Sequence, residues 1–368
     1  MPASTSIDAL LETAIALQQI PAPTFDEAAR ADAVAQFWQR LGLEVQRDEV
    51  GNVYTRLNGS APTAQPVVLS AHLDTVFPKD TPLDVNRTSR RVNAPGLGDN
   101  ALALAALIEV ARRYQEGNLD IQGDLHLVAN VGEEGLGNLV GMRAVVARFG
   151  AAPRAYVILE GLALGVIYHR GLGVQRYKIT VQAQGGHSWA DYGRPSAIHA
   201  LAHLITQLDA LPVPQTPRTS LNVGVIQGGT SINTIAPQAW LELDLRSESQ
   251  EVLARLSGQV QHLVSQTNRK RGVEAVIENL GERPSGEIPA DHPLVNLAAA
   301  CLQAHHIPAR RIIGSTDANV PLSLGHPAIT IGLTHGGNAH TRQEYIELAP
   351  LKIGMSSLFM LLERIWQD

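Results

Sequence analysis

The sequence predicts an α/β protein with a mostly parallel central sheet, interrupted by an inserted ferredoxin-like α+β domain. Three observations carry this. Apolar runs such as VVLSA, LHLVANV and YVIL alternate with helical periodicity, and the rhythm returns at AITIGL, as expected of strands crossing over through helices. From Gly173 the order becomes β-α-β-β-α-β, which is ferredoxin-like. The polar segment Gly281 to Pro289, with its prolines and glycines, then reads as a linker back to the first pattern. The expected division is residues 1–172 with 287–368 for the main domain, and 173–286 for the insert.

Taken in order, helical spacing covers Ile7 to Gln18 and Glu27 to Leu41, with Pro21 and Pro23 breaking the helix between them. Glu44 to Arg47 and Asn52 to Leu57 alternate as a short hairpin across Val50-Gly51. The apolar strand from Val67 stops at His72. Asp99 heads a helix from Ala101 to Tyr114. Leu125 to Val131 is a strand followed by Glu133-Glu134 and a helix through Val146, and Tyr156 to Leu159 is a strand ending at Glu160. In the insert, strands are expected at Gly173 to Gln184, Leu221 to Gln227, Gln238 to Arg246 and Glu274 to Leu280. Helices there run from Ser196 to Leu208 and Glu251 to Lys270. A helix from Pro293 to His305, a strand from Ala328 to Leu333 and a helix from Pro350 to Trp366 close the chain.

Composition narrows the partners. With 368 residues, a net charge of −6 and a pI near 6.1, there is no basic stripe for nucleic acid and no polybasic membrane patch. No apolar stretch approaches the ~18 residues of a membrane span. The N-terminal segment lacks the basic start of a signal peptide, so the expected location is cytoplasmic. The single cysteine, Cys301, excludes an intrachain disulfide and a cysteine-built zinc site. G-x-S-x-G, H-E-x-x-H and P-loop motifs are absent.

Ligands in open α/β sheets bind beyond the carboxyl ends of the strands. Here His72, Glu133-Glu134, Glu160 and His340 each follow an apolar run, and Asp99 stands at a helix start. Two histidines and three carboxylates exceed one open zinc site but suit two divalent ions if one carboxylate bridges. One of Glu133 and Glu134 would bind metal while the other acts as general base, and Asp74, two residues after His72, would orient that imidazole. The implied chemistry is amide hydrolysis. His199 and His203, four apart on a helix without an acid partner, read as structural; His335 competes with His340 for the last ligand position; Asp317 reads as a helix cap.

The ordered set SAHLDTV, GLGDN, GEEG, ILEG, GGHSWADYGRPSAI, SINTIAP, LDLR and GGNAHTRQEYI resembles the di-zinc exopeptidases and deacylases. That family includes glutamate carboxypeptidase, peptidase T, aminoacylase and acetylornithine deacetylase/succinyl-diaminopimelate desuccinylase. The resemblance implies one metal on His72, Asp99 and Glu160 and a second on Asp99, Glu134 and His340. The ions would be zinc, with cobalt or manganese as alternatives. It further implies Glu133 as the general base acting on a metal-bridging hydroxide, and Asp74 behind His72. His187 would polarise the scissile carbonyl, often from the partner subunit, and Arg246 and Asn233 would hold a substrate carboxylate. The insert would then be a lid and dimerisation domain of a homodimer. The expected activity is that of a carboxypeptidase-like exopeptidase on small peptides or N-acyl amino acids; the alternatives are a peptidase T-like aminopeptidase or tripeptidase and an N-acyl amino acid deacylase. One departure stands out: most relatives carry Asp-Lys-x-Gly where this chain has Asp99-Asn100-Ala101-Leu102.

Overall fold

The apolar runs form the centre of a nine-stranded sheet in the computed structural model, which describes residues 7–367. Its middle strands, Leu125–Asn130, Val67–His72, Ala155–Glu160 and Ala328–Gly332, lie side by side and parallel. Every residue of Val67–His72 is buried, which is why this strand reads as a continuous apolar run rather than an alternating one. Antiparallel strands flank the parallel centre. On one side are Val53–Leu57 and Val45–Arg47. On the other is Val166–Gly171 with Gly286–Glu287, and Arg310–Gly314 pairs in parallel with Val166–Gly171.

The parallel strands finish at one edge of the sheet, so the segments after His72, Asn130, Glu160 and Gly332 all emerge there. This placement, a consequence of parallel topology, gathers residues more than 200 positions apart.

The chain divides into two units, one running to Gly171 and resuming at Gly286, the other Leu172–Ser285. The second unit is a four-stranded antiparallel sheet in the order Thr219–Gly228, Gln238–Ser247, Gly173–Ala183, Val273–Arg283. Helices Ala197–Asp209 and Gln250–Thr267 pack on it through a separate core that includes Ile179, Leu204, Leu241, Leu243 and Val260.

Several elements differ from the sequence expectation. The supposed linker is strand through Arg283, because an irregularity between Asn279 and Gly281 lets pairing continue; Gly286–Glu287 then joins the other sheet. Val166–Gly171 and Arg310–Gly314 carry charged residues near the sheet margin and present no apolar run. The helix after Glu134 begins only at Val140, since Gly132, Gly135, Asn138 and Leu139 take left-handed conformations in the loop before it. Among the described residues no helix is long and apolar enough to cross a membrane.

The closing helix Leu348–Arg364 approaches the sheet through Gly354, where an added Cβ would collide with the carbonyl oxygen of Leu333. Gly354→Ala should therefore overpack the core, costing about 1–3 kcal/mol. A lowered unfolding temperature in calorimetry is the expected result, and an unchanged one would refute the close approach.

Candidate metal centre

His72 is the last residue of its strand and is fully buried. Its Nδ1 lies 3.0 Å from the backbone carbonyl oxygen of Asp74 and 3.5 Å from the Asp74 carboxylate. A proton on Nδ1 donated to that carbonyl leaves the lone pair of Nε2 directed at the cluster, the tautomer a metal requires. The orienting group is thus more closely the Asp74 backbone than its side chain. The Asp74 side chain instead fastens the loop that bears the two glutamates. Its two oxygens accept the backbone N–H groups of Glu133 and Glu134 at 3.0 and 2.9 Å, and the Thr24 hydroxyl at 2.9 Å.

Asp99 stands between two imidazoles. Its Oδ1 is 3.1 Å from His72 Nε2, and its Oδ2 is 3.0 Å from His340 Nε2. Glu160 Oε2 lies 3.7 Å from His72 Nε2, and Glu134 Oε1 lies 3.2 Å from His340 Nε2. Two half-sites sharing one carboxylate result. Ligands at ~2.0–2.1 Å from a tetrahedral ion are about 3.3 Å from one another, so these spacings suit a metal's first coordination sphere. Ligand atoms of His72, Asp99 and Glu134 fall within 4.8 Å of one another, a group able to hold an ion. The donor set of two imidazoles and three carboxylates therefore fits divalent metal.

The imidazoles and carboxylates of the cluster shift one another's proton affinity. Hydrogen bonds to Asp99 and Glu134 lift His340 to about 10. Burial works against charge on His72, but hydrogen bonds with Asp74, Asp99 and Glu160 outweigh it and hold its pKa well above the ordinary value. Burial likewise opposes charge on Asp99, yet His340 and His72 hold it well below the carboxylate range. Burial pushes Glu160 up to about 7, with His72 opposing and the Asp99 charge adding to the rise.

Other buried polar residues brace the site, and of these only Asn100, the departure from the Asp-Lys pattern, stands out in the sequence. Glu344 is fully buried and accepts the backbone N–H groups of Gly98 and Asp99 at 2.7 and 3.0 Å and that of Gly96 at 3.2 Å. Asn100, joined to Asp99 by a cis peptide bond, donates to the Leu159 carbonyl and accepts from Gly161 N–H, on either side of Glu160. Arg30 holds the carbonyls of Leu73 and Ile20, and Glu27 accepts from Gly132 and Phe25 N–H. For Glu344, Arg30 and Glu27 the only sequence signal is polarity inside amphipathic or loop segments. Asp317 does not cap the helix Asn319–Ser323, which has no side-chain cap; its buried carboxylate accepts from Asn130.

His187, Asn233 and Arg246 all belong to the second unit. The pair Gly186–His187 bonds with Thr234–Ile235, and Ser188 N–H donates to Asn233, so His187 and Asn233 are neighbours. Arg246 is not with them. It sits near the far end of the 10-residue strand Gln238–Ser247, about 30 Å long at ~3.3 Å per residue, whose start adjoins Asn233, and it pairs with Asp244 at 2.7 Å. Arg246 and Asn233 are thus separated by most of a strand's length within the inserted unit. His199 and His203 lie on the exposed side of their helix.

The model of peptidase family M20/M25/M40 matches residues 68–364. The chain belongs to this family. With it comes the reaction class, that of a metallopeptidase or amidohydrolase. Protein YqjE of Bacillus subtilis is 23% identical over 365 residues, covering 93% of this chain and 94% of its own. A succinyl-diaminopimelate desuccinylase of Corynebacterium glutamicum is 25% identical, covering 89% of each chain. Among solved structures, a tripeptidase from Staphylococcus aureus superposes over all of both chains with a TM-score of 0.83 at 22% identity, which shows a shared fold.

A divalent ion at His72 and His340 must displace their protons. Because both values are raised, the proton-bound form prevails at neutral pH, so metal affinity should climb with pH up to about 10. Calorimetry of metal returned to the chelated protein, in buffers of different ionisation heat, should show proton release at neutral pH. Binding without proton release would overturn the proton-bound form of these histidines in the metal-free protein.

Proposed function

We propose that the chain is a di-zinc exopeptidase that cleaves the amide bond of a small peptide or N-acyl amino acid and frees the C-terminal amino acid. The observation that carries this reading is the Asp99 carboxylate, each oxygen within hydrogen-bonding distance of a different imidazole. His72, Asp99 and Glu160 would hold one ion, and Asp99, Glu134 and His340 the other. Three carboxylates against two divalent ions leave roughly one positive charge, which a substrate oxygen can share. Bound there, the ions would lower the pKa of water to ~7 and polarise the scissile carbonyl.

The chain's own residues do the rest. Glu133 takes the proton of the attacking water and returns it to the leaving nitrogen. Asp74 sets its position, because one carboxylate binds the backbone N–H groups of both Glu133 and Glu134 and so fixes base and ligand together. His187 donates a hydrogen bond to the scissile carbonyl, and Arg246 offers a guanidinium to the substrate carboxylate. With Arg246 and the Asn233–His187 pair at opposite ends of one strand, a homodimer through the inserted unit supplies the two ends to different sites. The named desuccinylase and tripeptidase support amide substrates of this size and keep one second reading, a tripeptidase that requires a free amine.

Glu133→Ala should cut turnover by about 10²–10⁴-fold while metal content stays at two ions per chain. An active, metal-replete variant would remove Glu133 from the proton transfer. The zinc-loaded enzyme should cleave N-blocked dipeptides as well as free ones; strict dependence on a free amine would transfer the assignment to the tripeptidase reading.

Mixing Glu133→Ala with His187→Ala chains should restore part of the activity, since each hybrid dimer pairs an intact base with an intact histidine from the other chain. No recovery after demonstrated subunit exchange would place His187 in its own chain's site.

A further inference from the structure

His187 is exposed, yet its ring is not free to choose its tautomer. Nδ1 accepts the backbone N–H groups of Trp189 at 3.2 Å and Ala190 at 3.3 Å. A neutral imidazole has one acceptor nitrogen and one donor nitrogen. Two N–H groups converging on Nδ1 assign the acceptor to that atom, so the proton resides on Nε2. A proton on Nδ1 would instead face two donors at hydrogen-bond range, with no acceptor to receive it.

The backbone geometry that brings those two N–H groups under the ring is closed by Asp191. Its Oδ2 accepts the His187 N–H at 2.8 Å, and the Asp191 N–H returns to the His187 carbonyl at 2.9 Å. The other carboxylate oxygen pairs with Arg194 at 2.9 Å, which holds the side chain in place. Gly186 makes room: at φ +151 an added Cβ would stand 2.7 Å from Asp191 Oδ2. From the other side, Ser188 N–H is tied to the Asn233 carbonyl at 2.9 Å. Each of these contacts lies within the inserted unit.

We propose that the turn Gly186 to Asp191 locks His187 as its Nε2–H tautomer, a preset hydrogen-bond donor, and that Asp191 is the positioning residue of this donor. This rests on the reading of His187 given above and makes it specific. A locked Nε2–H has the polarity that a carbonyl oxygen gaining negative charge requires. It has the wrong polarity for a metal ligand or a general base. The donor is oriented before substrate arrives, so no reorganisation accompanies the charge change, and this is the condition under which a single donor is most effective.

The test is the nitrogen-15 spectrum of the metal-loaded, full-length protein with labelled histidine, at a pH above the ordinary imidazole value of ~6.5. His187 is identified by the signals that His187→Gln removes. The expected result is an unprotonated Nδ1 and a protonated Nε2. Averaged signals, or a protonated Nδ1, would overturn the proposal. In Asp191→Ala the signals should move toward the average and kcat should fall on the order of tenfold, a part of the ~10²–10³ that one such donor supplies, with KM and metal content little changed. Asp191→Asn keeps an oxygen for the His187 N–H and should recover both the spectrum and the rate. A fixed tautomer in Asp191→Ala would remove Asp191 from the positioning role. A fixed tautomer together with unchanged turnover in His187→Gln would support the lock and overturn the carbonyl role instead.

Discussion

Asp99 must turn one oxygen to His72 and the other to His340, 3.1 and 3.0 Å away, and the structure around it is arranged to hold that orientation. A carboxylate on a freely moving loop would rotate to satisfy whichever partner was nearer. Here Glu344 takes the N–H groups of Gly96, Gly98 and Asp99, and Asn100 ties the next residue to the strand end that bears Glu160. The backbone is therefore clamped on both sides of Asp99. Loss of geometry of about an ångström is enough to degrade such a centre, which is why its supports lie on rigid strands and buried turns.

The same arrangement creates an electrostatic problem. Asp74, Asp99, Glu134, Glu160 and Glu344 crowd acidic groups into a poorly solvated region, where unpaired charge is expensive. His72 and His340 stand among these acids, and the carboxylates they face raise the proton affinity of each. Glu344 shows the strain of the crowd. Burial and the Asp99 charge push it up to about 7, against three backbone hydrogen bonds that pull it down. Asp74 escapes this, because His72 and the backbone N–H groups of Glu133 and Glu134 outweigh its burial and keep its pKa low. One acid is thus kept charged as an anchor while another is left poised, according to what surrounds each.

The parallel centre and the residues gathered at its edge are legible in the sequence for a single reason: a strand buried on both faces leaves a continuous apolar run, and the ionisable residue that ends or follows it marks the edge of the sheet where the candidate site lies. His72 and Glu160 end such runs, and Glu134 and His340 follow them in the next loop. The bracing residues are not legible. Arg30, Asn100 and Glu344 act on backbone carbonyls and N–H groups, so no complementary side chain appears in the sequence to pair them with, and each lies where a polar residue could equally face solvent. Val166–Gly171 and Arg310–Gly314 leave no long apolar run because His169 and Arg170 cut the first short and Arg310 and Arg311 open the second. Arg246 and Asn233 group together by chemistry alone; only strand register shows that they belong to opposite ends of the inserted sheet.

Asn100 explains how the chain can depart from the Asp-Lys pattern of the proteins it resembles. A lysine would supply a charge and donors but no acceptor. The asparagine amide supplies both polarities, donating to Leu159 and accepting from Gly161 at 2.9 Å each. Those two backbone groups bracket Glu160, so the residue after Asp99 is tied directly to the strand end that bears Glu160. It does so with no net charge, in a fully buried position already crowded with acids, and its two hydrogen bonds satisfy one donor and one acceptor of the strand end. Asn100 thus ties the Asp99 segment to the strand end that bears Glu160 through neutral hydrogen bonds rather than through charge.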